Sequence, residues 1–256
     1  MTKPDTALIA WQDLPAALGL LSRIPVRIDV ERAQARGAAA AWAYPIVGIL
    51  LGALMIVLAG ALGWAGVPAA VIAMLVIASS IIITGAMHED GLADSADGLW
   101  GGWDKARRLE IMKDSRIGAY GVLALVLAIG LRWTCLSVLL ADPLWVAALL
   151  IPGTLSRAAM VAVMLALPNA RVGGLSGSVG RPSRKACVIA IGIGVIMAVL
   201  LLGLAGVWVM LIGAIAALAC AAIANRKIGG QTGDILGATQ QVTEIAVLVT
   251  LASLAA

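Results

Sequence analysis

The sequence predicts an all-α fold: a polytopic membrane helix bundle of about seven transmembrane helices, with an interfacial helix at the amino terminus. Apolar residues make up 62% of the 256 residues and charged residues only 12%, whereas roughly a quarter of a typical soluble protein is charged. Phenylalanine is absent, so alanine, aliphatic residues and 29 glycines must form the helix contacts, as in bundles that pack through small residues. We expect residues 1–256 to form a single integral-membrane domain.

Seven apolar segments are long enough to cross the ~30 Å hydrocarbon core of a bilayer. They are residues 40–62, 67–87, 118–141, 144–167, 186–204, 206–224 and 239–256. Before them, residues 6–22 are apolar but marginally short, and Asp13 and Pro15 interrupt them, which favours an interfacial helix. We expect residues 1–39 to form a cytoplasmic or interfacial segment, with a short strand at 26–30.

The connections between these segments alternate in charge. Four long ones hold sixteen of the eighteen Lys and Arg residues, namely 1–39, 88–117, 168–185 and 225–238, whereas the short ones near 63–66, 142–143 and 205 hold none. The positive-inside rule therefore predicts a multi-pass protein of the bacterial cytoplasmic (inner) membrane, surrounded by membrane lipid, with its active site facing the cytoplasm. Because the net charge of +4 is confined to connections, we expect no nucleic-acid partner. A homo-oligomer is left open.

The most charged stretch is residues 88–120, which hold the only histidine and seven of the fourteen acidic residues. If residues 89–97 are helical, Asp90, Asp94 and Asp97 lie on one face. Three carboxylates so close repel one another unless a cation binds among them, and hard oxygen ligands suit Mg²⁺. The pattern predicts a Mg²⁺ site that handles phosphate. The alternative is a solvated loop.

Two further connections carry candidate site residues. Residues 171–185 combine four glycines, including Gly173 and Gly174, with three serines and four cations. Their backbone N–H groups could cradle phosphate, or the segment could be a flexible linker. In 226–244, Asp234 follows a Gly-Gly pair and precedes an apolar segment, and we expect it to contribute to the site.

Two arginines, Arg132 and Arg157, lie inside predicted spans. An intramembrane arginine costs at least a few kcal/mol, so it should face the bundle interior or a polar cavity. For Arg157 we consider a cavity role and a structural pair with a backbone carbonyl or Asp142. We expect a functional role less for Arg132.

The motifs of the chain resemble those of the membrane-bound cobalamin synthase family, the adenosylcobinamide-GDP ribazoletransferases. The resemblance is carried by HEDGLADSADGLWGG from residue 88 and RRLEIMKDSRIGAYG from 107, and further by LSRIPV at 21, AYPIVGILLG at 43, LSRAAMV at 155 and GGQTGDILGA at 229. It covers most of the chain, and the central block is its most specific part.

The resemblance implies a Mg²⁺-dependent phosphotransfer late in cobalamin biosynthesis. A ribose hydroxyl of α-ribazole, or of its 5′-phosphate, attacks the cobinamide-side phosphorus of adenosylcobinamide-GDP, and GMP leaves. The metal ligands would be Asp90, Asp94 and Asp97, supported by Glu89, and one acid or His88 would take the hydroxyl proton. Phosphate would be held by Arg108, Lys113 and Arg116, with Asp114 orienting one of them, and by Gly173, Gly174, Arg157 and Asp234.

Two other functions remain open from the sequence. DSADG at 94–98 has the Asp-x-x-Asp-Gly shape that opens the signature of the CDP-alcohol phosphotransferases, but the rest of that signature is missing. A membrane transporter is the non-enzyme alternative. The clustering of polar residues at one face of the bundle, rather than at the midplane, argues against it.

Overall fold

The computed structural model describes residues 7–171 and 173–256, and within them it contains twelve α-helices and no strand. The helices are α1 (Asp13–Leu21), α2 (Val30–Arg36), α3 (Tyr44–Trp64), α4 (Ala69–Thr84), α5 (Met87–Gly101), α6 (Lys105–Ile111), α7 (Ala119–Leu139), α8 (Trp145–Ala166), α9 (Leu175–Val179), α10 (Arg184–Leu202), α11 (Ala205–Ile228) and α12 (Gly233–Ala255). The all-α prediction is confirmed. The strand expected at 26–30 is wrong, because residues 22–29 have no regular structure and α2 begins at Val30.

The predicted polytopic bundle is confirmed. In the described part of the chain, six helical segments are long and apolar enough to cross a membrane, or seven if the bent pair α4 and α5 counts as one span. The six are Val30–Trp64, which includes α3, and the helices α7, α8, α10, α11 and α12. The protein is thus a multi-pass membrane protein.

The second predicted span is shorter than expected and ends in a sharp bend. Helix α4 has 16 residues, about 24 Å at 1.5 Å per residue. It ends at Gly85, which adopts the left-handed conformation (φ 67°), and Ala86 follows with φ 58°. Helix α5 consequently starts at an angle of 88° to α4. The apolar composition of residues 67–87 could not reveal this bend, because it depends on two backbone conformations.

Helices α8 and α12 form the centre of the bundle. Helix α8 packs against α3, α10 and α12, and α12 also packs against α5, α7 and α11. The α3–α8 contact is made through glycine: a Cβ on Gly48 would overlap the carbonyl group of Gly153. The expected close packing through small residues is therefore present.

The connections sort to the two ends of the bundle if each long helix crosses once. The short connections 65–68, 140–144 and 203–204 lie at one end. The segments 85–118, 167–183 and 229–232 lie at the other, which we call the site end. The last helix begins at Gly233, six residues before the predicted start at 239, and the Thr232 hydroxyl caps it by accepting from the Ile235 N–H at 3.3 Å.

The amino-terminal segment is fixed to the site end by a buried carboxylate. Asp13 begins α1 and accepts hydrogen bonds from the Ala10 N–H at 3.0 Å, Arg36 Nη2 at 2.7 Å and Trp42 Nε1 at 2.7 Å. The helix that was predicted within residues 6–22 starts only at Asp13 and has nine residues. Asp13, which looked like an interruption, is its first residue. Residues 1–6 of the predicted segment lie outside the described residues.

Candidate active site

Helix α5 carries the predicted carboxylates. Asp90, Asp94 and Asp97 all lie within Met87–Gly101, so the helical interpretation of residues 89–97 is confirmed. Their burial increases along the helix: Asp90 is exposed, Asp94 is half-buried and Asp97 is buried. The three side chains therefore do not share one environment, although they share one helix.

The start of α12 lies directly against α5. A Cβ on Gly91 would come within 2.8 Å of the Asp234 carbonyl oxygen and 3.1 Å of the Gly237 Cα, so only glycine permits this approach. The contact brings Asp234 beside Asp90 and Asp94. Burial, followed by the charges of Asp90, Asp234 and Asp97, raises the pKa of Asp94 to about 7. The expected meeting of the central block with the carboxyl-terminal connection is thus observed.

A cavity of about 230 Å³ opens between these elements. We call it the carboxylate cavity, and its polar lining consists of Tyr44, His88, Asp90, Arg171, Ser176 and Asp234. Arg171 Nη2 lies 3.3 Å from Asp234 Oδ2, which also accepts from the Thr232 hydroxyl at 3.1 Å. The other terminal nitrogen of Arg171, Nη1, is buried without a hydrogen-bond partner among the described residues. The cavity thus combines acids with a cation that has an unused donor.

Asp97 stabilises the start of α7. Its carboxylate accepts from the Gly118 N–H at 2.7 Å and the Gly121 N–H at 2.9 Å. An acid at this position satisfies N–H groups that a helix leaves unpaired in its first turn, and it interacts favourably with the helix dipole. Asp97 therefore has a structural role, which could not be predicted because its two partners lie more than twenty residues away in the chain.

Glu89 faces away from the carboxylate cavity into a second one. Arg132 donates to Glu89 at 2.9 Å and lies 3.0 Å from Glu244, and both contacts are buried. This cavity of about 70 Å³, which we call the polar chamber, is also lined by Ser80, His88, Arg157, Gln240 and Gln241. The expectation that Arg132 faces the bundle interior is confirmed. Its partners were not predicted, because they come from two other helices.

Arg157 combines the two roles considered for it. It lines the polar chamber, and its Nη1 donates to the carbonyl oxygen of Gly153 one turn earlier at 3.0 Å. Its Nε has no partner among the described residues. Asp142 instead accepts from the Leu144 N–H at 2.8 Å.

His88 lies between the two cavities. It is 2% exposed, lines both of them, and its Nε2 has no hydrogen-bond partner in residues 7–171 or 173–256. Of the predicted proton acceptors, His88 is therefore the one that lines both the carboxylate cavity and the polar chamber. Its role as a base stays a prediction.

The predicted phosphate-binding cations lie outside the carboxylate cavity. Arg108 donates to the carbonyl oxygens of Gly102 at 2.9 Å and Lys227 at 3.0 Å, so it ties the α5–α6 turn to the end of α11. Arg116 is exposed and pairs with Asp114 at 2.7 Å. Hydrogen bonds from Arg116 lower the pKa of Asp114 to about 2. Lys113 is exposed, and the role of these cations in phosphate binding stays a prediction.

The glycine-rich connection does reach the site, through its neighbours rather than its glycines. Gly173 and Gly174 are exposed, with φ of 81° and 84°, and the described residues of this connection that line the cavity are Arg171, Ser176 and Val179. Arg171 was not among the predicted site residues. Its position beside a turn that requires two glycines was the signal that could have found it.

The arrangement of the acidic side chains decides whether a metal ion fits the site. No three His, Cys, Asp or Glu side chains within 7–171 and 173–256 converge closely enough to hold a metal ion as they stand. Glu89 and Asp97 have other partners, whereas burial, followed by the charges of neighbouring acids that include Asp90 and Asp234, raises the pKa of Asp94. Carboxylates in this relation fit a divalent cation with oxygen ligands. The assignment of Glu89, Asp90, Asp94 and Asp97 as metal ligands stays a prediction.

Comparison with known proteins gives consistent matches along the chain. A family model described as cobalamin-5-phosphate synthase matches residues 13–252. An adenosylcobinamide-GDP ribazoletransferase of Sinorhizobium medicae is 44% identical over 254 residues, covering 94% of this chain and 96% of the relative. The protein of the same name from Bradyrhizobium diazoefficiens is 42% identical over 247 residues, covering 94% and 93%. No solved structure matches.

Proposed function

Because the chain belongs to the cobalamin-5-phosphate synthase family, we propose that it joins adenosylcobinamide-GDP to α-ribazole, or to its 5′-phosphate, and releases GMP. In this reaction a ribose hydroxyl oxygen forms a bond to the cobinamide-side phosphorus. The bond from that phosphorus to the bridging oxygen breaks, GMP leaves with that oxygen, and the hydroxyl proton passes to a base. The observation that supports this most strongly is the meeting of Asp90, Asp234 and Arg171 at one cavity, with Asp94 close to both acids.

The cavity's residues suit the charges of a pyrophosphate. Asp90, Asp94 and Asp234 would hold Mg²⁺, which when bound would neutralise pyrophosphate charge and orient the reacting groups. Arg171 offers its unpaired Nη1 to a phosphate oxygen, and charge-assisted hydrogen bonds of this kind are about twice as strong as neutral ones. The Asp234 carboxylate holds the Arg171 guanidinium at the cavity. Positioning and charge neutralisation are the main demands of phosphoryl transfer.

Proton transfer is assigned to His88, which lines the cavity, and to Asp94, which lies beside its acidic residues. His88 presents a ring nitrogen without a partner, and Asp94, with its pKa raised to about 7, is protonated more readily than an ordinary carboxylate. Either group could take the hydroxyl proton at a pH near neutrality. Glu89 and Asp97 act on the site indirectly, by fixing α5 to α7 and α12.

We place the protein in the bacterial cytoplasmic membrane with the site end in the cytoplasm. The support is that the segments 22–36, 85–118, 167–185 and 226–232 hold fifteen of the eighteen Lys and Arg residues, as expected for cytoplasmic loops and the helix ends beside them. Substrates and products would then enter and leave on one side of the membrane.

The test is a reconstituted reaction. Purified, detergent-solubilised protein is incubated with adenosylcobinamide-GDP, α-ribazole and Mg²⁺, and the joined corrinoid and GMP are quantified by chromatography. Release of both in equal amounts is the expected result. An unchanged corrinoid, with CMP released from CDP-diacylglycerol instead, would favour a phospholipid phosphotransferase. Uptake of an unmodified corrinoid into vesicles would favour a transporter.

A further inference from the structure

A second, larger cleft joins the carboxylate cavity at the site end. It has a volume of about 540 Å³ and lies between α1, α2, the segment Gly37–Ala43 and α9. We call it the N-terminal cleft. It shares Leu20, Tyr44 and Val179 with the lining of the carboxylate cavity, so the two spaces adjoin at these residues.

One backbone contact closes the cleft on the side of α9. Gly37 adopts φ 46°, and a Cβ there would come within 2.6 Å of the Val179 carbonyl oxygen. Val179 ends the helix that follows the glycine-rich connection, whose Arg171 and Ser176 line the carboxylate cavity. The same connection therefore forms walls of both spaces. A ligand that occupied both would contact it along its length.

The cleft is lined mainly by apolar side chains. They include Ala16, Leu20, Ile28, Val30, Ala33 and Val179. The polar side chains in its lining are Gln34, Tyr44 and Ser178. Small-molecule sites are usually of this size, ~300–1,000 Å³, and of this composition, with a few polar groups that fix orientation.

We propose that the N-terminal cleft binds the aromatic base of the nucleoside acceptor, while the ribose reaches past Tyr44 to the carboxylate cavity. This inference rests on the proposed function. The base of α-ribazole is a benzimidazole, whose edge is largely apolar. Because the two spaces adjoin at Leu20, Tyr44 and Val179, a base in the cleft would lie on one side of these residues and the reacting hydroxyl on the other.

The alternative nucleoside part of the substrates, the guanine of the GDP conjugate, fits the cleft less well. Guanine carries several donors and acceptors along its edge, and each would lose its hydrogen bonds to water on entering an apolar cleft. A buried polar group that has lost its hydrogen bonds to water and gained no partner is unfavourable. The side chains of Gln34 and Ser178 are too few to satisfy that edge, whereas a benzimidazole gains from burial there.

The test compares two alanines on the same short helix. Ala33 is half-buried and lines the cleft, whereas Ala35 is exposed and does not. Ala33→Leu narrows the cleft, and Ala35→Leu makes the same chemical change outside it. Steady-state kinetics with the purified full-length protein give KM for α-ribazole and for adenosylcobinamide-GDP separately. Val30→Phe, at a rim position that is 61% exposed, provides a second way to narrow the cleft if Ala33→Leu is not recovered from membranes.

Ala33→Leu is expected to raise KM for α-ribazole about tenfold, a typical effect of a misfitted methylene-sized group, with KM for the GDP conjugate unchanged. Ala35→Leu should leave both constants as in the wild type. A rise in KM for the GDP conjugate alone would assign the cleft to the other substrate and overturn the proposal. Unchanged constants in both cleft variants would also overturn the proposal. A wild-type protein that forms no joined corrinoid would refute the proposed function itself, which is a distinguishable result.

Discussion

Arg132 should stabilise the bundle by compensating two buried carboxylates. Its guanidinium lies 2.9 Å from Glu89 and 3.0 Å from Glu244, and all three side chains are largely buried. Including Arg157, the polar chamber holds two cations and two anions, so Arg132→Met leaves one negative charge in excess inside the bundle. Removing one partner of a buried ion pair costs about 3–5 kcal/mol.

The expected loss is measurable in detergent. At ~2–4 °C per kcal/mol for a chain of this size, the unfolding midpoint of Arg132→Met should fall by roughly 6–20 °C. The assay is thermal unfolding followed by circular dichroism, with the wild type in the same detergent. The matched control is Arg132→Met combined with Glu89→Gln, which leaves one cation and one anion in the chamber and should regain most of the loss. A single variant that unfolds with the wild type, or a double variant less stable than the single, would refute the charge balance.

Three further predictions follow from the site and the topology. Asp94→Asn should lower turnover about a hundredfold with an unchanged unfolding midpoint, because Asp94 is one of the proposed metal ligands and caps no helix; a normal turnover would contradict this. Asp97→Asn should lower the free energy of unfolding by about 1–2 kcal/mol, because its carboxylate caps α7. Thermal unfolding should therefore show a lower midpoint for Asp97→Asn than for Asp94→Asn. Reporter fusions should place residue 66 outside and residue 105 inside, and an outside position for 105 would overturn the arrangement.

The helical content, the spans and the position of the carboxylates on a helix could be predicted, because they depend on composition and local spacing. Asp90 and Asp94 lie four residues apart, and this spacing placed them on one face of α5. The 88° bend before α5 could not be predicted, since it depends on the backbone of Gly85 and Ala86.

The different roles of the acidic residues depend on contacts between segments that are distant in the chain, and local sequence patterns do not reveal such contacts. Glu89 and Asp97 occur in the same motif as Asp90 and Asp94, yet their partners are Arg132 on α7 and the amides at the start of α7. Arg171 was missed for the same reason, because its site partner Asp234 is 63 residues away.

The central claim is that the active site is assembled from separate parts of the chain, and it depends on the contact between α5 and α12. Its most direct test is the turnover of Asp234→Asn, measured as GMP release from adenosylcobinamide-GDP over a range of Mg²⁺ concentrations. Asp142→Asn, which changes an acid at the opposite end of the bundle, is the control. The account predicts at least a tenfold loss of turnover and a higher Mg²⁺ requirement for Asp234→Asn at equal membrane content, with Asp142→Asn unaffected. Unchanged turnover and Mg²⁺ dependence in Asp234→Asn would contradict it and confine the chemistry to α5.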